Sequence, residues 1–206
     1  MDSLEALRLP LFPLHTVLFP EATLALQIFE PRYREMIARC LAHDETFGVA
    51  LILEGDEVGD PATPRRVGTE AAIIASDRSK DGYEIVAEGR RRFEITGLDK
   101  TRSYLRADIT FLEDPVGEDV GPLAETVGHL VDNVVQALEA RGHGMLQDTW
   151  KLLEPRSLSY RVASALPTSE EIHQELLEIP DVASRLRREA ELLQSIQKIG
   201  VEAGAA

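Results

Sequence analysis

The spacing of apolar residues changes once along this chain, at Asp114–Gly121, and this change limits the possible folds more than any other feature. Before it, apolar and polar residues alternate, as they do in Tyr104–Leu112, which is typical of half-buried strands. After it, apolar residues recur every three or four positions, which is typical of amphipathic helices. The segment itself holds Pro115, two glycines and three acidic residues, which favours a boundary. We therefore predict an α+β fold, with a β-rich domain at 1–115 and a helical domain at 116–206.

The front half is predicted to form a closed or nearly closed, barrel-like antiparallel sheet of six or more short strands. Pro10 and Pro13 cannot donate hydrogen bonds to a neighbouring strand, so the first strand is expected at an edge or a bend. One helix interrupts the strands: Pro31 suits a first helical position, and the apolar residues after it recur at helical spacing. The predicted strands are Leu7–Leu14, Thr23–Phe29, Phe47–Leu53, Val67–Ser76, Tyr83–Glu88, Arg91–Thr96 and Tyr104–Leu112. The predicted buried stripe of the helix is Tyr33, Met36, Ile37, Cys40 and Leu41.

The back half is predicted to be a small helical bundle that packs against itself and the sheet. One helix starts at Pro122 and ends near Gly142, and a shorter one covers Ser157–Leu166. Thr168 and Glu171 have the spacing of a capping box for a third helix, which Pro180 stops. Asp181 is expected to cap the last helix. The apolar stripe of that helix is Val182, Leu186, Ala190 and Leu193.

The charge balance argues against nucleic acid as a partner. The formal net charge is −14, and the residues up to Glu113 carry 14 Lys and Arg against 20 Asp and Glu. Nucleic-acid binding depends on basic residues that neutralise phosphates, and both halves are acidic. No apolar run is long enough to cross a bilayer, the N-terminus does not resemble a signal peptide, and there is one cysteine. We therefore expect a cytoplasmic protein with no membrane partner.

A search for reactive groups predicts no catalytic, cofactor-binding or metal site. Gly97–Thr101 approaches a phosphate loop, but Asp99 stands where glycine is required and is expected to repel phosphate. Ser79 and Lys80 are adjacent, which suits a solvated turn better than a dyad. Cys40 falls on the predicted buried stripe, and paired acids at Glu170–Glu171 suit a helix start. The histidines are scattered at 15, 43, 129, 143 and 173, without metal-ligand spacing.

The one basic cluster runs from Gly89 to Arg92. On a strand, Arg90 and Arg92 share one face and Arg91 lies on the other. A patch for acidic peptides or phosphate is one interpretation. An edge strand protected by charge, or arginines paired with carboxylates, is the interpretation we favour.

The order of several short motifs resembles the Lon protease N-terminal substrate-binding domain. Each motif is weak alone, but their order and spacing across Leu7–Leu193 make the resemblance specific. The motifs are Leu9–Leu14, Val17–Pro20, Leu24 with Ile28–Tyr33, Val67–Thr69, Val86–Gly89 with Arg92–Phe93, Ala163–Pro167 and Leu176–Glu178.

The resemblance implies a PUA-like β pseudo-barrel followed by helices, and a non-catalytic role in recognising unfolded or partly folded polypeptides. It covers none of the ATPase and Ser–Lys peptidase regions of Lon proteases, so the chain looks like the stand-alone bacterial form of the domain. The peptide-contacting residues are unknown, although the first strand is a candidate for strand addition. An ATP-dependent protease or a chaperone is a further candidate partner. An RNA-binding PUA-like domain and a small-molecule enzyme with an unrecognised site are the alternatives.

Overall fold

A computed structural model describes residues 7–58, 62–140 and 149–204. These residues form two compact units: those up to Glu113 together with Ser169–Leu177, and those of Asp114–Thr168 together with the residues from Glu178 onward. The division into domains at 1–115 and 116–206 remains a prediction. Within the described ranges, no helix has the length and apolar character needed to cross a membrane.

The first unit is built on a six-stranded sheet that nearly closes into a barrel, as predicted. Its order is β2-β5-β4-β3-β1-β6, and β5 also pairs with β6, so five strands form a ring and β2 is attached outside it. All pairs are antiparallel except β1 with β3, so the sheet is mixed and the prediction of an antiparallel sheet was wrong for this pair. The strands are β1 (Leu7–Leu14), β2 (Thr23–Ile28), β3 (Phe47–Glu54), β4 (Thr63–Arg78), β5 (Tyr83–Asp99) and β6 (Arg106–Phe111).

The sequence predicted β1 at an edge or a bend, and the edge was wrong, because β1 lies between β6 and β3 in the sheet. It changes partner halfway: Leu7–Pro10 pair with β6, and Leu11–Leu14 pair with β3. Each half of β1 therefore pairs with one neighbouring strand and has one side without a strand partner. A proline is tolerated in such a strand where its missing N–H would face that unpaired side. The prediction of short strands was also wrong for β4 and β5, because β5 continues through Gly89 instead of breaking there.

Helix α1 (Pro31–His43) packs against residues of the sheet, with Pro31 in its first turn as predicted. The predicted stripe is buried except for Leu41, which is exposed. Its buried residues join the inner faces of the strands in one apolar cluster. A second cluster surrounds Phe93, where Gly48 and Gly68 make room for the ring: a Cβ on either would lie within 2.8 Å of it.

One later helix, α4 (Glu170–Glu178), belongs almost entirely to the first unit. Its Gln174 side chain donates to the Val67 carbonyl at 3.0 Å, and its Glu170 carboxylate accepts the Val17 N–H at 3.1 Å. The residue before the helix is Ser169, whose carbonyl accepts the His173 N–H, so the predicted cap at Thr168 was wrong by one position. Glu170 is at the helix start, as predicted.

The second unit contains α2 (Val120–Ala140), a 3₁₀ turn (Thr149–Leu152), α3 (Pro155–Ala165) and α5 (Val182–Gly204). Helix α2 begins two residues before the predicted Pro122, and its predicted end near Gly142 lies outside the described residues. Asp181 caps α5 as predicted, because its Oδ1 accepts the Ser184 N–H at 2.8 Å.

Buried polar groups join these helices. Arg185 on α5 is fully buried, and its Nε donates to the Ser159 hydroxyl at 2.7 Å. Ser159 in turn donates to Oε1 of Glu189 at 2.7 Å. The guanidinium of Arg185 also lies 3.3 Å from the Asp114 carboxylate, which balances its charge.

Candidate functional site

Strand β2 is the open edge of the sheet. Its six residues pair with β5 on one side, from Thr23 opposite Glu88 to Ile28 opposite Tyr83. On the other side, no strand of the described chain pairs with it. Such an edge carries unpaired N–H and C=O groups at a repeat that matches any extended backbone. The sequence pointed to β1 for strand addition, whereas the strand that is unpaired along one whole side is β2.

The start of β2 is fixed by a turn that docks on Gly89. The Glu21 N–H donates to the Gly89 carbonyl at 2.8 Å, and the Gly89 N–H donates to the Ala22 carbonyl at 2.9 Å. A Cβ at position 89 would lie 2.2 Å from the carbonyl oxygen of Phe19, so only glycine allows this approach. The glycine beside the arginine cluster therefore positions the open strand.

An exposed aromatic side chain, Phe29, follows the last residue of β2. Because a core of this size needs most of the aromatic residues of the chain, the sequence predicts that Phe12, Phe19, Phe29 and Tyr33 are core residues, and the structure confirms this for all but Phe29. Phe29 is 58% exposed, so that interpretation was wrong for it. A large apolar side chain at the end of an open strand can contact a side chain of an added peptide.

A groove of about 460 Å³ lies on the outer face of the sheet next to this edge. Residues of the neighbouring strands β2, β5 and β4 line it. Val86 on β5 lies opposite Ala25 on β2 and Ala75 on β4, so these three side chains form one row across the strands. The next outward-facing row holds Gln27, Glu84 and Asp77. The groove thus combines small apolar side chains with two carboxylates.

The two exposed arginines of the cluster pair with carboxylates. Arg90 pairs with Glu88 at 2.8 Å, and Arg91 pairs with Glu70 at 3.1 Å. Arg91 also lies 3.5 Å from the centroid of the Phe111 ring. These contacts confirm pairing with carboxylates, whereas edge protection was wrong because β5 lies between β2 and β4.

Arg92 has a role that the alternating pattern did not indicate. It is 2% exposed, and its guanidinium donates to the backbone carbonyls of Leu177 at 2.7 Å and Glu113 at 3.1 Å. Charge-assisted hydrogen bonds of this kind supply a donor to carbonyls that have none within the strands and helices. A charged residue in a short run of arginines gives no sequence signal of burial, which appears only with the tertiary contacts.

The other reactive candidates lie in structural positions. The Asp99 carboxylate accepts the Thr101 N–H at 2.8 Å in the turn after β5, as expected for a strand-to-strand turn. Ser79 and Lys80 are exposed in the turn after β4, and burial raises the pKa of the Cys40 thiol to about 11. In the part of the chain that the structure describes, no group of three His, Cys, Asp or Glu side chains is placed to hold a metal ion. His143 lies outside that part.

A near-closed mixed sheet with one early helix, followed by a helical part, is the fold of Lon N-terminal domains. The fold matches the N-terminal domain of the Mycobacterium avium complex Lon protease with a TM-score of 0.72 at 20% identity, over 91% of this chain and 98% of that one. It also matches a Lon N-terminal domain protein from Xanthomonas campestris with a TM-score of 0.65 at 28% identity, over 88% and 96% of the two chains.

Residues 8–195 match the family of the ATP-dependent protease La (LON) substrate-binding domain, and the chain belongs to this family. It is 25% identical to a Lon protease of Syntrophus aciditrophicus over 188 residues, and 29% identical to Lon protease 4 of Sorangium cellulosum over 191 residues. These alignments cover 87% and 89% of this chain, but 24% and 23% of those relatives. The chain therefore spans about a quarter of the length of the Lon proteases that it matches.

Proposed function

We propose that this protein binds unfolded or partly folded polypeptide without acting on it chemically, and that the open edge of β2 is the contact surface. The observation that carries the proposal is the unpaired strand edge, which ends at an exposed Phe29. Membership in a family of substrate-binding domains supports the class of partner. An ATP-dependent protease or a chaperone is the proposed recipient of the bound chain.

Backbone pairing suits a partner without a fixed sequence. An extended segment added to β2 makes main-chain hydrogen bonds that are the same for every residue except proline. In a folded protein most backbone N–H and C=O groups already form hydrogen bonds within that protein. The edge of β2 therefore binds unfolded chains in preference to folded ones. Side-chain preference then comes from Phe29, which favours apolar side chains, and from the carboxylate of Glu84 on the strand next to β2, which favours long basic side chains.

The test measures binding of an unfolded, basic probe by fluorescence anisotropy. Labelled ribonuclease A, reduced and carbamidomethylated, is expected to bind saturably, whereas native ribonuclease A is not. Burying roughly 60 Å² of an aromatic ring at about 25 cal/mol/Å² is worth about 1.5 kcal/mol, so Phe29→Ala is expected to weaken binding about tenfold. Leu53→Ala is the matched control, because Leu53 is also a half-exposed apolar residue of the first unit.

The backbone contribution is tested by competition with a short peptide of alternating valine and lysine. The peptide is expected to displace the probe, and the same peptide with N-methylated backbone amides is not, since it cannot donate to β2. Equal competition by both peptides would reject strand addition. Equal binding of native and unfolded ribonuclease A would reject the proposed function itself.

A further inference from the structure

Strand β2 lacks the features that keep open strand edges from pairing with one another. Natural sheets protect such edges with charged side chains, prolines, bulges or very short strands. The six residues of β2 include no charged residue and no proline, and the strand pairs with β5 through all six positions without a bulge. The unpaired side of β2 is therefore suited to a second strand of the same kind.

The extended backbone around β2 is centred on Ala25. It begins one residue before the strand, since the Ala22 carbonyl accepts the Gly89 N–H at 2.9 Å. It ends with Ile28, because helix α1 starts at Pro31. Two copies of this stretch, paired antiparallel, therefore overlap fully about a two-fold axis at Ala25.

The side chains of β2 are compatible with this alignment. Residues directly opposite each other in an antiparallel pair lie on the same face of the sheet. On the outer face, Ala25 lies opposite Ala25 of the second copy, and Thr23 lies opposite Gln27. On the other face Leu24 lies opposite Leu26, and both side chains already pack against the core cluster of their own copy. Polar side chains thus meet polar ones, and apolar side chains meet apolar ones.

The acidic charge of the chain does not oppose this pairing at the strands themselves. On β5, Glu84 lies opposite Gln27 and Glu88 lies opposite Thr23. In the paired sheet, Glu84 of one copy and Glu88 of the other are three strand spacings apart, about 14 Å, which exceeds the Debye length of about 8 Å at physiological salt. Glu88 also pairs with Arg90 at 2.8 Å.

We propose that β2 pairs with β2 of a second copy of this chain, in an antiparallel dimer that unfolded polypeptide has to displace. A strand pair of this length is small compared with the roughly 1,000 Å² that a stable interface buries, so the dimer is weak and dissociates on dilution. Dimerisation lowers the fraction of open edges as the protein concentration rises. The pairing rests on the strand itself, whereas its regulatory effect rests on the proposed function.

Oxidative cross-linking tests the pairing and its alignment. Directly opposed residues of antiparallel strands have Cα atoms about 4.5–5.5 Å apart, within the range of a disulfide. Ala25→Cys is therefore expected to form a covalent dimer on oxidation with diamide. Thr23→Cys is the matched control, because Thr23 is also exposed on β2 but its two copies are four residues apart along the paired strands, about 13 Å. Cross-linking of Thr23→Cys to the same extent would overturn the alignment, and cross-linking of neither variant would overturn the pairing.

Sedimentation velocity tests whether the unmodified protein dimerises. The sedimentation coefficient of wild type is expected to rise with concentration between about 5 and about 500 µM, as a weak dimer requires. Ala25→Lys sets two ammonium groups opposite each other and is expected to remain monomeric. Ala75→Lys is its control, since Ala75 is exposed in the same row but lies on β4, two strands from the edge. A monomeric wild type, or an Ala25→Lys variant that dimerises like wild type, would overturn the proposal.

The regulatory effect is tested with unfolded ribonuclease A, whose cysteines are blocked. The oxidised Ala25→Cys dimer is expected to bind it about tenfold more weakly than the same variant after reduction, because its β2 edges are occupied. Equal binding by the two forms would overturn competition for β2. Saturable ribonuclease binding without a cross-link at position 25 would reject self-pairing and retain the proposed function. Cross-linking at position 25 without ribonuclease binding by the reduced variant or by wild type would reject the proposed function and retain self-pairing.

Discussion

Burial of Glu189 in the helical unit is expected to make stability fall as the pH rises. Its carboxyl group is fully buried, and burial raises its pKa well above the ordinary value of 4.5 despite the hydrogen bond from Ser159 and the nearby Arg185. Asp114 already balances the charge of Arg185, and Oε2 of Glu189 has no hydrogen-bond partner among the described residues. The folded protein therefore keeps this carboxyl protonated to a higher pH than the unfolded chain does.

The magnitude follows from proton linkage. Above pH 4.5 the unfolded chain releases the proton of Glu189, while the folded chain keeps it until the pH reaches the raised pKa. Between these two values the folded state binds one more proton, so the free energy of unfolding falls by about 1.4 kcal/mol per pH unit. Above the raised pKa, Glu189 is ionised in both states, and its contribution to the free energy of unfolding no longer changes with pH.

The perturbation is Glu189→Gln, which removes the titration and keeps an oxygen to accept from Ser159. Urea unfolding followed by the emission of Trp150, which lies in the same unit, gives the free energy at a series of pH values from 5 upward. The stability of the variant relative to wild type is expected to rise with pH by about 1.4 kcal/mol per unit. Glu191→Gln is the control, because Glu191 is exposed on the same helix in a surface pair with Arg188. A difference between Glu189→Gln and wild type that is constant with pH would refute the reasoning.

Three further predictions concern the sheet unit. Arg92→Leu leaves two carbonyls without their donor and is expected to cost about 2–4 kcal/mol in urea unfolding, against less than about 0.5 kcal/mol for the exposed Arg90→Ala; similar losses would contradict this account. Gly89→Ala places a Cβ 2.2 Å from a backbone oxygen and is expected to lower the melting temperature more than Gly97→Ala, whose Cβ would meet only a side chain at 3.3 Å; equal shifts would be inconsistent with that contact. The Cys40 thiol, with its pKa of about 11, is expected to resist a disulfide reagent at pH 8 and to react once urea unfolds the chain; fast reaction of the native protein would show that it is not buried.

Local patterns in the sequence were sufficient for most of the elements and for their order, although they divided β5 into two strands. The change of period at Asp114–Gly121 separates strands from most of the helices, because alternation and helical spacing each record which side of a single element is buried. Pro31 and Asp181 were identified as helix starts for a similar reason, since capping depends on a few adjacent residues. The family resemblance also depends on the order of short local motifs.

The tertiary structure decided which segments pair and which side chains remain exposed. Strand β1 is internal because it meets β6 and β3, which come from distant parts of the chain, and two prolines in a row of apolar residues do not encode those partners. Phe29 is exposed and Arg92 is buried because burial depends on which residues pack against a side chain. The hydrophobicity of the side chain itself predicts burial only in part. The open edge of β2 is likewise a property of the sheet order, since a strand is an edge only through the absence of a second neighbour.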